Sequence, residues 1–312
     1  MNGVRLLYRE SKAAVWAFSF LCAIPLLPEY CAPVLAIASL LFAVADARRR
    51  GRTVQIGDVG KILLLYVAYL AVTALFSSHI LNSLATVGMW VVMFCGYLTV
   101  STVATSRRRI RIFLLLFSVA AGAVGGIACL QYILRDLCHL KLPNQLWVSI
   151  DELFYRLFPM NVDIYIATHR AASTFNNPNV MSEFLIMAIP FATLCGFDGC
   201  RTRTKLTARF GLLLAIIGVA VSFSRGAYLA ALSMILLILV TNLRRITPLI
   251  LSLIAAVALI PEAVISRFLS ISDTAEFSVV QRFETWDVAI RAILDHPIFG
   301  LGCGVLDRKS VV

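Results

Sequence analysis

The sequence predicts an all-α fold, a polytopic transmembrane helical bundle of about nine spans with two external segments carrying short amphipathic helices. Three observations carry that reading. Of 312 residues 60% are hydrophobic and only 14% are charged. The apolar residues fall in blocks of roughly 15 to 25, the length that a bilayer core requires. Basic residues gather in the gaps after every second block, as expected where Lys and Arg are retained on the cytoplasmic side.

Taken in order, the blocks give spans at 13–28, 31–46, 59–77, 83–104, 110–134, 178–197, 210–223, 226–242 and 246–260. The first follows Arg5, Arg9 and Lys12 in the manner of a signal peptide. Glu29 and a second span come next without a small-residue cleavage site, so the first block reads as an uncleaved helix. The chain then divides into helices one to five (1–134), an external loop (135–177), helices six to nine (178–260) and the start of a large external loop (261–312).

Threading nine spans alternately puts Arg48-Arg49-Arg50-Arg52, Arg107-Arg108-Arg109-Arg111, Arg201-Arg203-Lys205-Arg209 and Arg244-Arg245 on one side, with the N-terminus in the cytoplasm. That side holds 18 of the 28 basic residues and 4 of the 17 acidic ones. The formal charge of +11 is therefore explained by topology, and no nucleic-acid partner is needed. No Walker-type loop or GxGxxG is present, which argues against an ATP-driven pump. The eight cysteines are scattered without a CxxC pair and read as free thiols, and no metal or cofactor is expected.

Chemistry is expected outside, because the cytoplasmic loops are short and basic. In the first external segment Ile150, Leu153, Phe154, Leu157 and Phe158 recur at helical spacing. This is either a helix on the membrane surface or one packed over the span ends. In the second, Phe283, Trp286, Ile290 and Ile293 form an apolar stripe, and Asp287 and Arg291 make an i,i+4 pair on another face. That helix runs to about Leu294, and Gly300-Leu301-Gly302-Cys303-Gly304 follows as loop.

Three arginines stand out on a face that positive-inside sorting should empty: Arg170, Arg225 and Arg282. The first two precede spans running from outside to inside, so those helices present unpaired N–H groups outward. Asn177 is placed to cap a helix with Pro178 at its first position, and Ser224 to cap the span beginning near Gly226. An arginine beside a helix N-terminus suits an anion. The competing reading is that both arginines snorkel to the interface and the Asn-Pro run is a turn.

The order R-x-x-x-T-F-x-N-P-N (from Arg170 to Asn179), S-R-G (Ser224 to Gly226), R-x-x-x-W (Arg282 to Trp286) and P-I-F-G-x-G (from Pro297) resembles the O-antigen ligase and O-antigen polymerase family. The likeness runs over about 165–305, within a ligase-like domain of about 165–312. It implies a glycosyltransferase of the bacterial inner membrane that moves a glycan from an undecaprenyl-diphosphate carrier to an acceptor hydroxyl on a glycan or lipid. Arg170, Arg225 and Arg282 are then expected to hold the diphosphate, supported by Asn177, Asn179, Ser224 and Glu183.

The general base implied by the resemblance is a histidine beyond the P-x-x-G-x-G stretch, past Val312, so the chain reads as a C-terminally truncated member. Of the histidines present, His169 beside Arg170 is the best substitute; His79 and His139 lie in loops without a visible partner, and His296, before Pro297, reads as a helix-end residue. Alternatives are a polymerase of the same family, an inactive fragment, and a transporter of lipid-linked glycans. A transporter needs polar groups near the bilayer midplane, and no charge lies deep in the spans, Lys61 and Glu183 being near the ends.

Overall fold

The structure is a computed structural model and describes residues 11–77, 79–140, 146–148, 170–197, 202–241, 277–296 and 300–301. Every element among them is helical. In chain order these are α1 (Lys12–Ala23), α2 (Ala32–Arg49), α3 (Gly57–Leu75), α4 (Ile80–Val103), α5 (Arg107–Tyr132), α6 (Pro178–Phe197), α7 (Thr202–Val221), α8 (Arg225–Thr241) and α9 (Phe277–Asp295).

Six of these, α2 to α7, are long and apolar enough to cross a membrane, so the protein is a multi-pass helical membrane protein. The expectation of nine spans is not met among the described residues. The first expected span is an apolar stretch of only Lys12–Leu26, in which α1 gives way at Ala23 to a 3-10 turn holding Pro25. Proline has no N–H to continue the ladder. Helix α8 has 17 residues, while the expected span 246–260 and the helix expected around Ile150 lie outside the described residues.

Helix ends also differ from the hydropathy blocks. α5 starts at Arg107, where the Ser106 hydroxyl accepts from the Arg109 N–H at 3.3 Å, and α7 starts at Thr202. Hydropathy marks the hydrocarbon layer, whereas a helix continues into the headgroup region, where its cationic side chains are solvated.

The chain forms two compact units. In the first, which holds α5 to α8 and the 22–32 turn, α5 packs on both α6 and α7. A seam of glycines sets that packing. A Cβ on Gly122 would come 2.7 Å from the Gly211 Cα, and one on Gly125 2.2 Å from the Leu214 carbonyl oxygen. One on Gly218 would come 2.8 Å from the Gly125 Cα. Contacts climb both helices together, so α5 and α7 run parallel at backbone distance, the close approach that small residues permit in membranes. Around the seam Val124, Met181, Leu185, Leu212 and Ala215 are fully buried.

In the second unit α3 packs on α4, and the Ser39 hydroxyl bonds the Ala17 carbonyl at 2.8 Å and Thr99 at 3.3 Å. Near the basic end of α2, buried Asp46 accepts from the Ser11 hydroxyl and pairs with Arg50 at 3.2 Å. Spans of this unit are buried over only 22–28% of their length, against 44–50% in the first, so the second unit turns most of its apolar surface outward.

If the seam sets the packing, Gly125→Leu should destabilise the purified protein by about 1–3 kcal/mol or more. Gly88→Ala, with nothing within 4 Å of its Cβ, should be neutral or slightly stabilising. Thermal unfolding in detergent checks both, and equal melting of the two variants would contradict the packing argument.

Candidate functional site

Because α5 and α7 are parallel, their basic starts lie at one end of the first unit and their C-termini at the other. α7 is 20 residues long, about 30 Å, so the two ends are separated by a bilayer's thickness. The chain between α5 and α6 returns at the far end as a buried strap, with Ala171, Ala172, Ser173 and Thr174 at most 3% exposed.

Polar bonds fix the strap, as buried backbone requires. The Ser173 N–H donates to Gln131 Oε1 at 2.9 Å, and its hydroxyl donates to the Val124 carbonyl at 2.7 Å. Thr174 Oγ1 donates to the Pro25 carbonyl at 2.6 Å, and the Ala171 N–H to the Val221 carbonyl at 3.4 Å. Ser173 itself adopts φ +57°, a conformation uncommon for non-glycine residues.

Arg170 opens the strap. Its Nε donates to the Ser222 carbonyl at 2.8 Å, and its Nη2 to Asn179 Oδ1 at 2.5 Å. One planar guanidinium thus joins the turn after α7 to the first turn of α6, a two-pronged reach that a lysine ammonium lacks. Arg135, in the π turn after α5, donates to the Arg170 carbonyl at 3.4 Å.

Both helix starts are capped by their own side chains. Asn177 Oδ1 accepts from the Asn179 N–H at 2.8 Å, with Pro178 at the first position of α6. Ser224 Oγ accepts from the Ala227 N–H at 3.4 Å, and the Ser224 carbonyl from the Tyr228 N–H at 3.0 Å. α8 begins at Arg225, after a tight turn in which Phe223 has φ +51° and Tyr228 Oη donates to the Ala220 carbonyl at 2.7 Å.

The structure therefore brings Arg170, Asn177, Asn179, Ser224 and Arg225 to one end of the first unit, opposite its basic clusters. Glu183, in the second turn of α6, is exposed. Arg282 lies on α9 in the second unit, its side chain outside the described residues, as is His169 altogether. Exposed His79 precedes α4, where its N–H donates to Ser77 Oγ at 3.1 Å, and exposed His139 ends the turn after α5.

Two functional candidates escaped the sequence reading. Gln131 was a polar residue inside an apolar span, a signal that was there to be used. Arg135, just past that span, gave only its external position.

Electrostatically, this end carries two helix N-termini and two C-termini, each worth about half an elementary charge of opposite sign. To a first approximation they offset one another, so among the described residues the positive character rests on Arg135, Arg170 and Arg225, with exposed Glu183 opposing it. What the N-termini add is short-range: amide donors for an acceptor oxygen.

Residues 210–310 match the model of a family described as O-antigen ligase. The match covers about a third of the chain, takes in Arg225 and Arg282, and starts beyond Arg170 and the strap. No curated protein and no solved structure matches the chain.

Should Asn177 cap α6, Asn177→Ala will lower the melting free energy by about 1 kcal/mol while Asn177→Asp retains it. Arg170→Ala, which leaves the Ser222 carbonyl and Asn179 without that donor, should cost about 1.5–3 kcal/mol. Thermal or denaturant unfolding of the purified variants measures both, and an unchanged Arg170→Ala midpoint would contradict the bridging role.

Proposed function

We propose that the protein is a membrane glycosyltransferase of the O-antigen ligase type, which takes a glycan from an undecaprenyl-diphosphate carrier at the extracytoplasmic face. The observation that carries the reading is the arginine-bearing end of the first unit, where Arg170 is bonded to the turn that leads into Arg225. It is supported by the family match across the second of those residues and by the positive-inside pattern, which puts this end outside and the N-terminus in the cytoplasm.

In such a transfer the acceptor hydroxyl oxygen bonds to the sugar C1 and loses its proton to a general base. The C1–O bond to the carrier breaks, and the electron pair leaves with the diphosphate. Negative charge therefore grows on the leaving group as the bond opens. Fixed cations aimed at it stabilise the transition state more than the ground state. Arg225, at the first position of α8, offers a guanidinium beside amide donors of the same turn. Arg170, already committed to Ser222 and Asn179, fixes the shape of that turn and adds its charge.

Arg225→Ala should lower glycan transfer about 100-fold or more, the usual magnitude for losing one preorganised donor. Arg225→Lys, keeping charge without the fork, should retain part of it. Arg282→Ala tests the third cation that the motif order implies. Transfer is measured with membranes from a strain lacking its own enzyme, normalised to the amount of inserted protein. Wild-type transfer by both alanine variants would remove the anion-site reading.

A further inference from the structure

Helix α9 carries an apolar face that nothing among the described residues covers. Val280, Phe283, Trp286, Ile290, Ile293 and Leu294 are 42–75% exposed, each of them a large hydrophobic side chain. On the 3.6-residue repeat Phe283, Trp286, Ile290, Ile293 and Leu294 share one stripe some 100° wide, with Val280 set among the charges at its edge. Glu284, Asp287, Arg291 and Asp295 flank it as exposed charges, Asp287 and Arg291 forming an ion pair. The remaining side, with Val288, Ala289 and Ala292, is half-buried.

A second observation fixes where this helix lies in the second unit. The Ser77 hydroxyl donates to the Leu301 carbonyl at 3.1 Å, and buried Ser77 also accepts from the Ser83 hydroxyl at 2.8 Å. Ser77 sits in the turn between the spans α3 and α4, which is by necessity at one surface of the bilayer. Leu301 lies six residue steps beyond Asp295, at most about 20 Å of extended chain. The Gly300 N–H bonds back to the His296 carbonyl at 3.0 Å, which shortens that reach. The C-terminal end of α9 is therefore tethered at the depth of a span terminus. Beside the same turn Leu75, Phe76 and Leu81 are 65–83% exposed at the ends of helices long and apolar enough to cross a membrane.

We propose that α9 is an interfacial helix, lying in the headgroup and upper acyl region with the Phe283–Trp286–Ile290–Ile293 stripe buried in the bilayer and its charged flank in water. The helix carries three carboxylates against two arginines, Arg282 and Arg291, a net negative charge. Attraction to anionic lipid therefore does not drive the seating; apolar burial and the amphipathic Trp286 ring do. This does not rest on the proposed enzymatic function, since an inactive or differently employed membrane protein would seat the helix in the same way.

The test is Trp286 fluorescence in the full chain reconstituted into phosphatidylcholine vesicles, isolated as the difference between the protein and its Trp286→Phe variant. Lipid brominated high on the acyl chain should quench this component strongly, and lipid brominated near the terminal methyl weakly. Aqueous iodide should leave it unchanged, as should added anionic lipid. Phe283→Trp in the Trp286→Phe background provides a second reporter on the same face and should behave alike. Quenching by iodide instead would overturn the proposal. Protection from both iodide and bromolipid would overturn it too, by showing that protein, such as a second copy of this chain, covers the stripe.

Discussion

The first unit depends on how closely α5 and α7 can approach. Gly122, Gly125, Gly211 and Gly218 put backbone against backbone, leaving no room for a side chain between the two helices. Because they run parallel, the intervening chain must return antiparallel as the strap and α6. The starts of α6 and α8 then fall at the same end as the finish of α7. The meeting of Arg170 with the Ser222–Ser224 turn follows from that geometry, and small residues in the seam are its cause.

What the arrangement gains chemically is a set of cations that need little rearrangement. Arg170 is held by a carbonyl and a side-chain amide, its backbone by a buried strap. Water is scarce beside the buried strap, so the effective dielectric there is low and a fixed charge acts more strongly than it would in bulk water. The same scarcity explains why the strap's polar groups are bonded so thoroughly to Gln131, Val124 and Pro25. Neither effect comes from the helix dipoles, which nearly cancel at this end.

Local features were legible in the sequence. The caps at Asn177 and Ser224 could be read because a cap, its proline and its helix lie within a few residues of one another. The apolar stripe of α9 and its Asp287–Arg291 pair were legible through helical spacing. Non-local features were not. Nothing in the order of residues says that Arg170 bonds a carbonyl 52 positions later, or that Ser77 reaches Leu301. Of the nine expected spans six stand among the described residues, and the first is a shorter apolar stretch because hydropathy measures apolar content and does not register that Pro25 ends its helix early. Gln131 and Arg135 were passed over because each looked ordinary until the strap came to lie against it.

The central claim is that the arginines at this end bind a lipid-borne diphosphate, and binding tests it more directly than turnover. Purified protein in detergent is titrated with undecaprenyl diphosphate and with undecaprenol, which has the same chain and no phosphate. The account predicts that undecaprenol binds at least about 10-fold more weakly, and that Arg225→Ala reduces diphosphate-lipid affinity to near that level, the difference of about 1.4 kcal/mol or more expected for a lost charge-assisted contact. Equal affinity for the two lipids, with Arg225→Ala indistinguishable from the unaltered protein, would contradict it.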